Sequence, residues 1–243
     1  MLKYLESKSS TLTENTFSDK FTGKRVLLLG AGPSTDDVNW ENLEYDCVVT
    51  TTHFYLNDEV RKLKNITHLT LSEIIDFNHP NLIEFLQNNP DCTLALEPKP
   101  GRPFYNTDLW KEFEEKYRDR LVYYNTKIDK FEGVAGRLGF FVMAFNPSEL
   151  YYVGIDGYSK NFDKQPKNAF RKELTLDADG YLEAGRYNEF LDSNITFAKT
   201  LYEYSKLNKT KLYNLGEGFE YNMSSEISKK FFPLTQDILE KTR

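Results

Sequence analysis

"RVLLLGAGPSTDD", residues 25–37, is the stretch that indicates the fold of this chain. Four apolar residues lead into Gly30-Ala31-Gly32-Pro33-Ser34 and then into an acidic segment, a pattern typical of a β-strand that enters a nucleotide-binding turn. If a helix follows, Ser34 or Thr35 can cap it, and Asp36 and Asp37 fall in its first turn, where the helix dipole stabilises carboxylates. Because acids already occupy this end, the turn suits a base, a ribose or a neutralised phosphate better than a bare pyrophosphate.

Short apolar runs alternate with helical patterns along the rest of the chain, which is typical of repeated βα units. This order predicts an α/β fold with a Rossmann-like, doubly wound, mostly parallel sheet of about seven strands. The predicted strands cover residues 25–30, 46–52, 67–72, 92–97, 121–125, 150–156 and 210–216. The predicted helices cover residues 35–42, 56–63, 80–88, 107–118, 134–146 and 187–207.

One domain is expected over residues 24–243, after a polar N-terminal arm or short helix at 1–23. Residues 157–186 are polar, charged and aromatic without a steady period, and such a long loop inside a domain is typically a lid or a binding loop. The tail, residues 223–243, has a helical pattern. Its Phe231-Phe232 pair can dock on the domain, on a second subunit or on a lipid surface.

The composition excludes several classes of partner. The formal net charge is −6 with both signs interspersed, so a basic nucleic-acid surface is not expected.

Cys47 and Cys92 lie far apart in apolar contexts, which favours buried strand residues in a reducing, cytoplasmic setting. No apolar run is long enough to span a bilayer, so only a peripheral membrane contact stays open. The chain has no C-x-x-C or H-x-x-x-H pair, and we predict no metal site.

The glycine turn by itself does not define a chemistry. The dinucleotide fingerprint needs a third glycine, and none follows Gly32 before Gly101. The G-K-[ST] signature of P-loop kinases and the G-x-S-x-G signature of serine hydrolases are absent. On these residues alone, the alternative that the glycine turn only connects a strand to a helix, without binding a ligand, stays open.

Four segments, the first of them containing the glycine turn, carry a family resemblance. The stretches VLLLGAGPS, VVTTTHFYLND, GVAGRLGFFVMAF with ELYYVGIDGYSKN, and YEYSKLNKTKLYNLG occur in this order between residues 25 and 216. In order and spacing the chain resembles the bacterial sialyltransferases of glycosyltransferase family 42. It also resembles the related motility-associated-factor and pterin-pyrophosphokinase-like proteins, which share a G-N-G-P-S turn.

The resemblance implies an enzyme that binds CMP-sialic acid, needs no metal or other cofactor, and closes a flexible lid over the donor. It further implies a glycan acceptor, a homo-oligomer, a histidine as general base, and tyrosine hydroxyls that help the nucleotide leave. Tyr158 matches the phosphate-contacting tyrosine of the family's G-I-D-x-Y signature. The other nucleotide-binding positions implied are Gly30, Ala31, Gly32, Pro33, Ser34, Thr52, Gly136, Gly154 and Asp156.

The chain departs from the family pattern at three positions. Ala31 and Thr52 each stand where the family has an asparagine. The catalytic histidine position falls near Asp192, and no histidine follows His79. A carboxylate can accept a proton from a sugar hydroxyl, so Asp192 or its neighbour Glu189 is a candidate base, and a solvated carboxylate on a helix surface is the alternative.

Other candidates come from the residues themselves. His53 follows a predicted strand and can act as an acid or base, or it can be a structural histidine beside aromatic neighbours. His68 is predicted as a strand residue, and His79 as a cap or turn residue. Four basic residues can neutralise a leaving phosphate or a sugar carboxylate: Arg137, Arg171, Lys172 and Arg186.

These observations predict a metal-independent, inverting glycosyltransferase that moves a sugar, such as sialic acid, from a CMP-linked donor to a glycan. Asp192 or His53 would act as the base, and Tyr158 would assist departure of the phosphate. Two alternatives stay open. One is a pyrophosphokinase-like or nucleotide-hydrolysing relative that uses Mg²⁺, and the other is a member that binds a nucleotide or glycan without turnover.

Overall fold

The computed structural model describes residues 3–5, 14–39, 42–63, 65–71, 76–96, 103–125, 133–157, 167–174 and 187–216. Within these residues, eight strands form one sheet in the order β1-β6-β5-β4-β3-β2-β7-β8. The strands are β1 Lys3–Leu5, β2 Arg25–Leu29, β3 Cys47–Thr51, β4 Ile66–Leu71, β5 Thr93–Leu96, β6 Leu121–Asn125, β7 Glu149–Val153 and β8 Lys211–Asn214. The helices are α1 Glu14–Phe21, α2 Asp58–Lys62, α3 Pro80–Asn88, α4 Asp108–Lys116, α5 Gly133–Met143 and α6 Tyr187–Asn208.

The α/β class and the mostly parallel sheet are confirmed. Every neighbouring pair from β6 across to β8 is parallel. The eighth strand, β1, lies in the segment predicted as an arm or short helix, and it pairs antiparallel with β6 at the sheet edge. The prediction of about seven strands did not include this one, because a three-residue strand is too short to show a period of its own.

The apolar run of β2 is explained by burial on both faces of the sheet. Val26 and Leu28 belong to one core cluster, while Leu27 and Leu29 belong to the other. Side chains of α2, α3 and α4 complete the cluster around Leu27, and those of α1, α5 and α6 complete the cluster around Leu28. A parallel strand covered by helices on both faces is apolar at successive positions, which is the pattern read from the sequence.

The predicted helix over residues 35–42 was wrong for the residues described there. A single 3₁₀ turn, Pro33–Asp36, stands in its place. Pro33 suits a first helical position, but Ser34 and Thr35 use their side chains on Asp156 and on the Gly30 carbonyl. No side chain caps this turn, and Val38 and Asn39, which follow it, have low helix propensity.

The strand order reverses at β2. From β2 the chain proceeds outward through β3, β4, β5 and β6, and it then returns to place β7 and β8 on the other side of β2. Ligands of open α/β sheets bind in the crevice at the carboxyl ends of the strands where such a reversal occurs. The ends of β2 and β7 therefore define the part of the molecule in which to look for a site.

Candidate functional site

The carboxyl ends of β2 and β7 approach each other backbone to backbone. The N–H of Gly30 donates to the Val153 carbonyl, and the N–H of Gly32 donates to the Gly154 carbonyl, each at 2.8 Å. A Cβ on Gly30 would lie 2.3 Å from the Gly154 oxygen, and one on Gly32 would lie 2.3 Å from Asp156 Oδ2. Glycine is therefore required at both positions, and we call residues 30–34 the glycine turn.

Ser34 and Asp156 form a buried pair that locks the glycine turn onto the loop after β7. Ser34 N donates to Asp156 Oδ2 at 2.8 Å, and Ser34 Oγ donates to Asp156 Oδ1 at 2.6 Å. The same hydroxyl accepts the N–H of Gly154 at 2.9 Å. Asp156 is 2% exposed. The structure brings these predicted site residues together, and it shows that they hold one another.

The electrostatics of the Ser34–Asp156 pair follow from its burial. Burial raises the pKa of the Asp156 carboxyl, the hydrogen bonds from Ser34 lower it, and the charge of Asp37 raises it, with a net rise. The folded state thus favours the protonated carboxyl more than the unfolded chain does. The stability that this group contributes is fully present below its ordinary pKa and is lost as the pH rises through the raised value.

We expect Asp156→Asn to remove this pH dependence. An asparagine can accept from Ser34 N and donate to Ser34 Oγ, so the pair can persist without a charge. Relative to the variant, the wild type should lose free energy of unfolding as the pH rises from about 4, the ordinary aspartate value. Urea unfolding at a series of pH values checks this, and parallel pH profiles for the two proteins would contradict it.

Thr35 fixes the first peptide of the glycine turn. Its Oγ1 donates to the Gly30 carbonyl at 3.0 Å. Gly154 has a φ of +72°, and a Cβ there would lie 2.2 Å from Thr35 Oγ1. Gly216, just after β8, completes this cluster, since a Cβ on it would lie 2.6 Å from Ser34 Oγ. The sequence did not identify Gly216 as a site residue, because its proximity to Ser34 exists only in the folded chain.

The described part of the predicted lid packs against the glycine turn. We call residues 167–174 the strap. The N–H of Ala169 donates to the Ala31 carbonyl at 2.8 Å, and Phe170 is 2% exposed within the core. Asn168 Oδ1 accepts the N–H groups of Phe170 and Arg171, which shapes the turn between them. The strap is thus held beside the glycine turn by a backbone hydrogen bond and a buried side chain. The rest of residues 157–186, including Tyr158 and Arg186, lies outside the described residues apart from Gly157.

Two of the predicted basic residues have acidic partners. Lys172 Nζ lies 3.5 Å from Asp36 Oδ1, and Arg171 Nε lies 3.5 Å from Glu173 Oε1. Lys172 and Glu173 are exposed, and exposed ion pairs contribute little to stability. Either cation can therefore exchange its partner for a ligand anion at small cost.

Thr52 and His53 lie at the same edge of the sheet, just after β3. Thr52 is 8% exposed. His53 adopts a left-handed backbone with a φ of 70°, which is uncommon outside glycine and recurs at functional sites. The His53 ring centroid lies 6.1 Å from that of Tyr55, and the Tyr55 centroid lies 5.0 Å from that of His79.

The other two histidines lie in the elements predicted for them. His68 pairs with Thr93 in the sheet as a β4 residue. His79 caps α3, and its Nδ1 accepts the N–H of Asn81 at 3.2 Å.

The other predicted site residues lie on α5 and α6. Gly136 is buried and Arg137 partly buried in α5, which packs on β2 and β3. Asp192 is exposed in α6, and its backbone carbonyl accepts the Thr196 hydroxyl at 2.8 Å. Among the described residues, no contact joins the Asp192 carboxylate to the glycine turn. Glu189 also lies on α6, but its side chain is outside the described part.

Asn57 is a site residue that the sequence analysis missed. It precedes α2, and its side-chain oxygen accepts the N–H groups of Glu59 and Val60. Its side-chain nitrogen donates to the Ala169 carbonyl at 2.9 Å and to Asp36 Oδ1 at 3.1 Å. Asn57 followed by acidic residues is a readable cap signal, but nothing in the sequence indicates its contact with the strap.

A cavity of about 870 Å³ lies beside the 3₁₀ turn. Its charged lining residues are Asp36, Glu59 and Lys62. Lys62 Nζ lies 2.7 Å from Glu59 Oε1 and Lys172 Nζ lies 3.5 Å from Asp36 Oδ1, so both acids are paired with cations. The strand-order reversal lies instead at the edge formed by the glycine turn, which makes that edge the better place for a nucleotide.

Burial raises the pKa of the Cys47 thiol to about 12 and that of the Cys92 thiol to about 11, which disfavours the thiolate form. Both are free and buried, as predicted.

In the described ranges, no three His, Cys, Asp or Glu side chains are grouped as metal ligands. Of the helices in those ranges, none combines the length and the apolar character that crossing a bilayer requires.

The comparisons with known proteins give a structural match without a sequence match. No family model matches the sequence, and no curated protein matches it. The structure is similar to that of the sialyltransferase CstII from Campylobacter jejuni in complex with CMP, with a TM-score of 0.55 and 16% identity over 88% of this chain and 86% of that one. This chain has a sialyltransferase fold.

Two further solved structures agree. The monofunctional α-2,3-sialyltransferase Cst-I from Campylobacter jejuni is similar with a TM-score of 0.54 and 15% identity, over 96% of this chain and 84% of that one. CstII in complex with CMP and a trisaccharide acceptor is similar with a TM-score of 0.53 and 16% identity, over 87% and 86%. The predicted resemblance to sialyltransferases is confirmed at the level of the fold, and the resemblance to motility-associated factors stays a prediction.

Proposed function

We propose that this protein is a glycosyltransferase that moves an acidic sugar, such as sialic acid, from a CMP-linked donor to a glycan acceptor. The observation that carries the proposal is the glycine turn at the strand-order reversal, in a fold shared with sialyltransferases that bind CMP. The turn is tightened by Ser34 and Asp156, so its backbone is held in place before any ligand arrives. Such preorganisation reduces the ordering cost of binding.

Most backbone N–H groups of residues 30–35 already have acceptors within the protein, which favours the uncharged part of a nucleotide as the ligand of the glycine turn. Gly30, Gly32, Ser34 and Thr35 donate their N–H groups to acceptors of the protein, and Pro33 has no N–H. This leaves Ala31 as the turn residue whose N–H has no acceptor among the described residues. A phosphate cradle needs several converging N–H groups, whereas one donor suits a base carbonyl or a ribose oxygen.

The phosphate would then need other partners. Arg137 on α5 is the candidate cation, and Tyr158 is the candidate hydroxyl that assists its departure. In this proposal these side chains stabilise the leaving phosphate in place of a metal ion. Lys172 can join them by leaving Asp36 when an anion binds.

An inverting transfer requires a base on the acceptor side. The base removes a proton from the attacking hydroxyl while that oxygen bonds to the anomeric carbon and the C–O bond to the phosphate breaks. Asp192, exposed on α6, and His53, at the edge of β3, are the two candidates. The left-handed backbone of His53 favours a functional role for that residue. Asp192 is favoured because it lies near the position of the family's catalytic histidine along the chain.

Calorimetric titration with CMP, CDP, UDP, GDP and ATP, each with and without Mg²⁺, tests the donor. We expect CMP to bind with a micromolar dissociation constant that Mg²⁺ does not change. Binding of ATP only with Mg²⁺ would move the protein to phosphoryl transfer. The absence of any binding would favour a member of the fold without this activity.

A further inference from the structure

Asn57 is a buried side chain with both ends engaged, and it is 5% exposed. Its oxygen caps α2 through two backbone N–H groups. Its nitrogen bridges two other segments, the strap at the Ala169 carbonyl and the 3₁₀ turn at Asp36. One amide therefore joins three segments: α2, the strap and the 3₁₀ turn that continues the glycine turn.

The strap in turn fixes the second peptide of the glycine turn. Ala169 presents its carbonyl to Asn57 and its N–H to the carbonyl of Ala31. On the other side of Ala31, Thr35 holds the Gly30 carbonyl. The peptide planes that flank Ala31 are thus held from two directions, by Thr35 directly and by Asn57 through Ala169.

We propose that Asn57 is a positioning residue for the nucleotide donor. It holds the strap against the Ala31 carbonyl. The strap thereby orients the Ala31–Gly32 peptide, which is joined at Ala31 to the peptide whose N–H is offered to the nucleoside. The proposal rests on the proposed function, since it assigns the ligand at the glycine turn as a nucleotide. Asn57 contacts the donor only through these intermediates, so its loss should weaken donor binding and leave the chemistry of bound donor unchanged.

Two substitutions separate this role from the helix cap. Serine and aspartate cap helices about as well as asparagine, so Asn57→Ser and Asn57→Asp keep α2 capped while both remove the nitrogen that reaches Ala169. We expect Asn57→Ser to raise the dissociation constant for CMP and the KM for the donor about tenfold, with kcat at saturating donor unchanged. Asn57→Asp should weaken binding further, because its carboxylate faces Asp36.

A second substitution, at Asp36, separates the charge repulsion expected in Asn57→Asp from the loss of the Ala169 hydrogen bond. In the double variant Asp36→Asn with Asn57→Asp, the hydrogen bond between the two positions is restored with donor and acceptor exchanged, and the bond to Ala169 stays lost. CMP affinity should return to the level of Asn57→Ser and no further. Recovery to the wild-type level would overturn the role of the Ala169 bond.

Amide hydrogen exchange gives a readout that does not depend on nucleotide binding. The Ala169 N–H should exchange faster in Asn57→Ser than in the wild type. Asn89→Ser is the matched control, because it removes an asparagine nitrogen from the Phe85 carbonyl at the opposite end of the sheet. It should leave CMP affinity and Ala169 exchange as in the wild type.

The two measurements distinguish the possible failures. Unchanged Ala169 exchange in Asn57→Ser overturns the proposal, and so does faster exchange with unchanged CMP affinity. If the wild type binds none of the nucleotides, the proposed function fails and the donor role of Asn57 falls with it. Faster Ala169 exchange in that case would still establish that Asn57 holds the strap.

Discussion

Gly30→Ala is expected to lower the free energy of unfolding by about 3 kcal/mol and to abolish CMP binding. The added Cβ would lie 2.3 Å from the Gly154 oxygen and 2.8 Å from its carbonyl carbon. Both are backbone atoms of the adjacent β7 end, so no side chain can rotate away to relieve the overlap. The two loops must separate, and that movement strains the Ser34–Asp156 pair. Urea unfolding and calorimetry measure the two effects.

Gly139→Ala is the matched control. In α5 its Cβ would meet Leu28 Cδ1 and Phe197 Cε2 at 3.5 Å, an ordinary van der Waals contact. Alanine is also a better helix former than glycine, so stability should be retained or should rise by up to about 1 kcal/mol. If Gly30→Ala behaves like Gly139→Ala, the close approach of β2 and β7 does not matter for the site.

Replacing the catalytic base should reduce turnover by about 10²- to 10⁴-fold without weakening CMP binding. Asp192→Ala and His53→Asn test the two candidates. Asparagine is chosen at His53 because it tolerates the left-handed backbone there, which keeps the loop after β3 in place. Since the base acts on the acceptor hydroxyl, its loss should appear in kcat of transfer, and CMP calorimetry should match the wild type.

Glu203→Ala is the control for Asp192→Ala, because Glu203 is another exposed acid on the same helix. It should transfer sugar at the wild-type rate. Loss of transfer in His53→Asn alone would assign the base to the edge of β3 and make Asp192 a solvated carboxylate. Wild-type turnover in both variants would contradict the assignment of either residue as the base.

The sequence by itself determined the central strands and the position of the turn. The apolar run of β2, buried on both faces, and the alternation of strands and helices carry that information locally. It also placed Asp156 at a strand end, where a carboxylate is expected to hold a turn or a ligand. Local periodicity failed for the three-residue strand β1 and for the helix predicted over residues 35–42.

Tertiary structure decided which of the predicted residues bind one another. Ser34 and Asp156 are 122 residues apart, and their pairing shows in no local pattern. The same holds for Asn57, whose cap role is local but whose contact with the strap spans 112 residues. The reason is physical: propensity and periodicity act over a few neighbours, whereas buried polar groups take whichever partners the folded chain brings within hydrogen-bond distance.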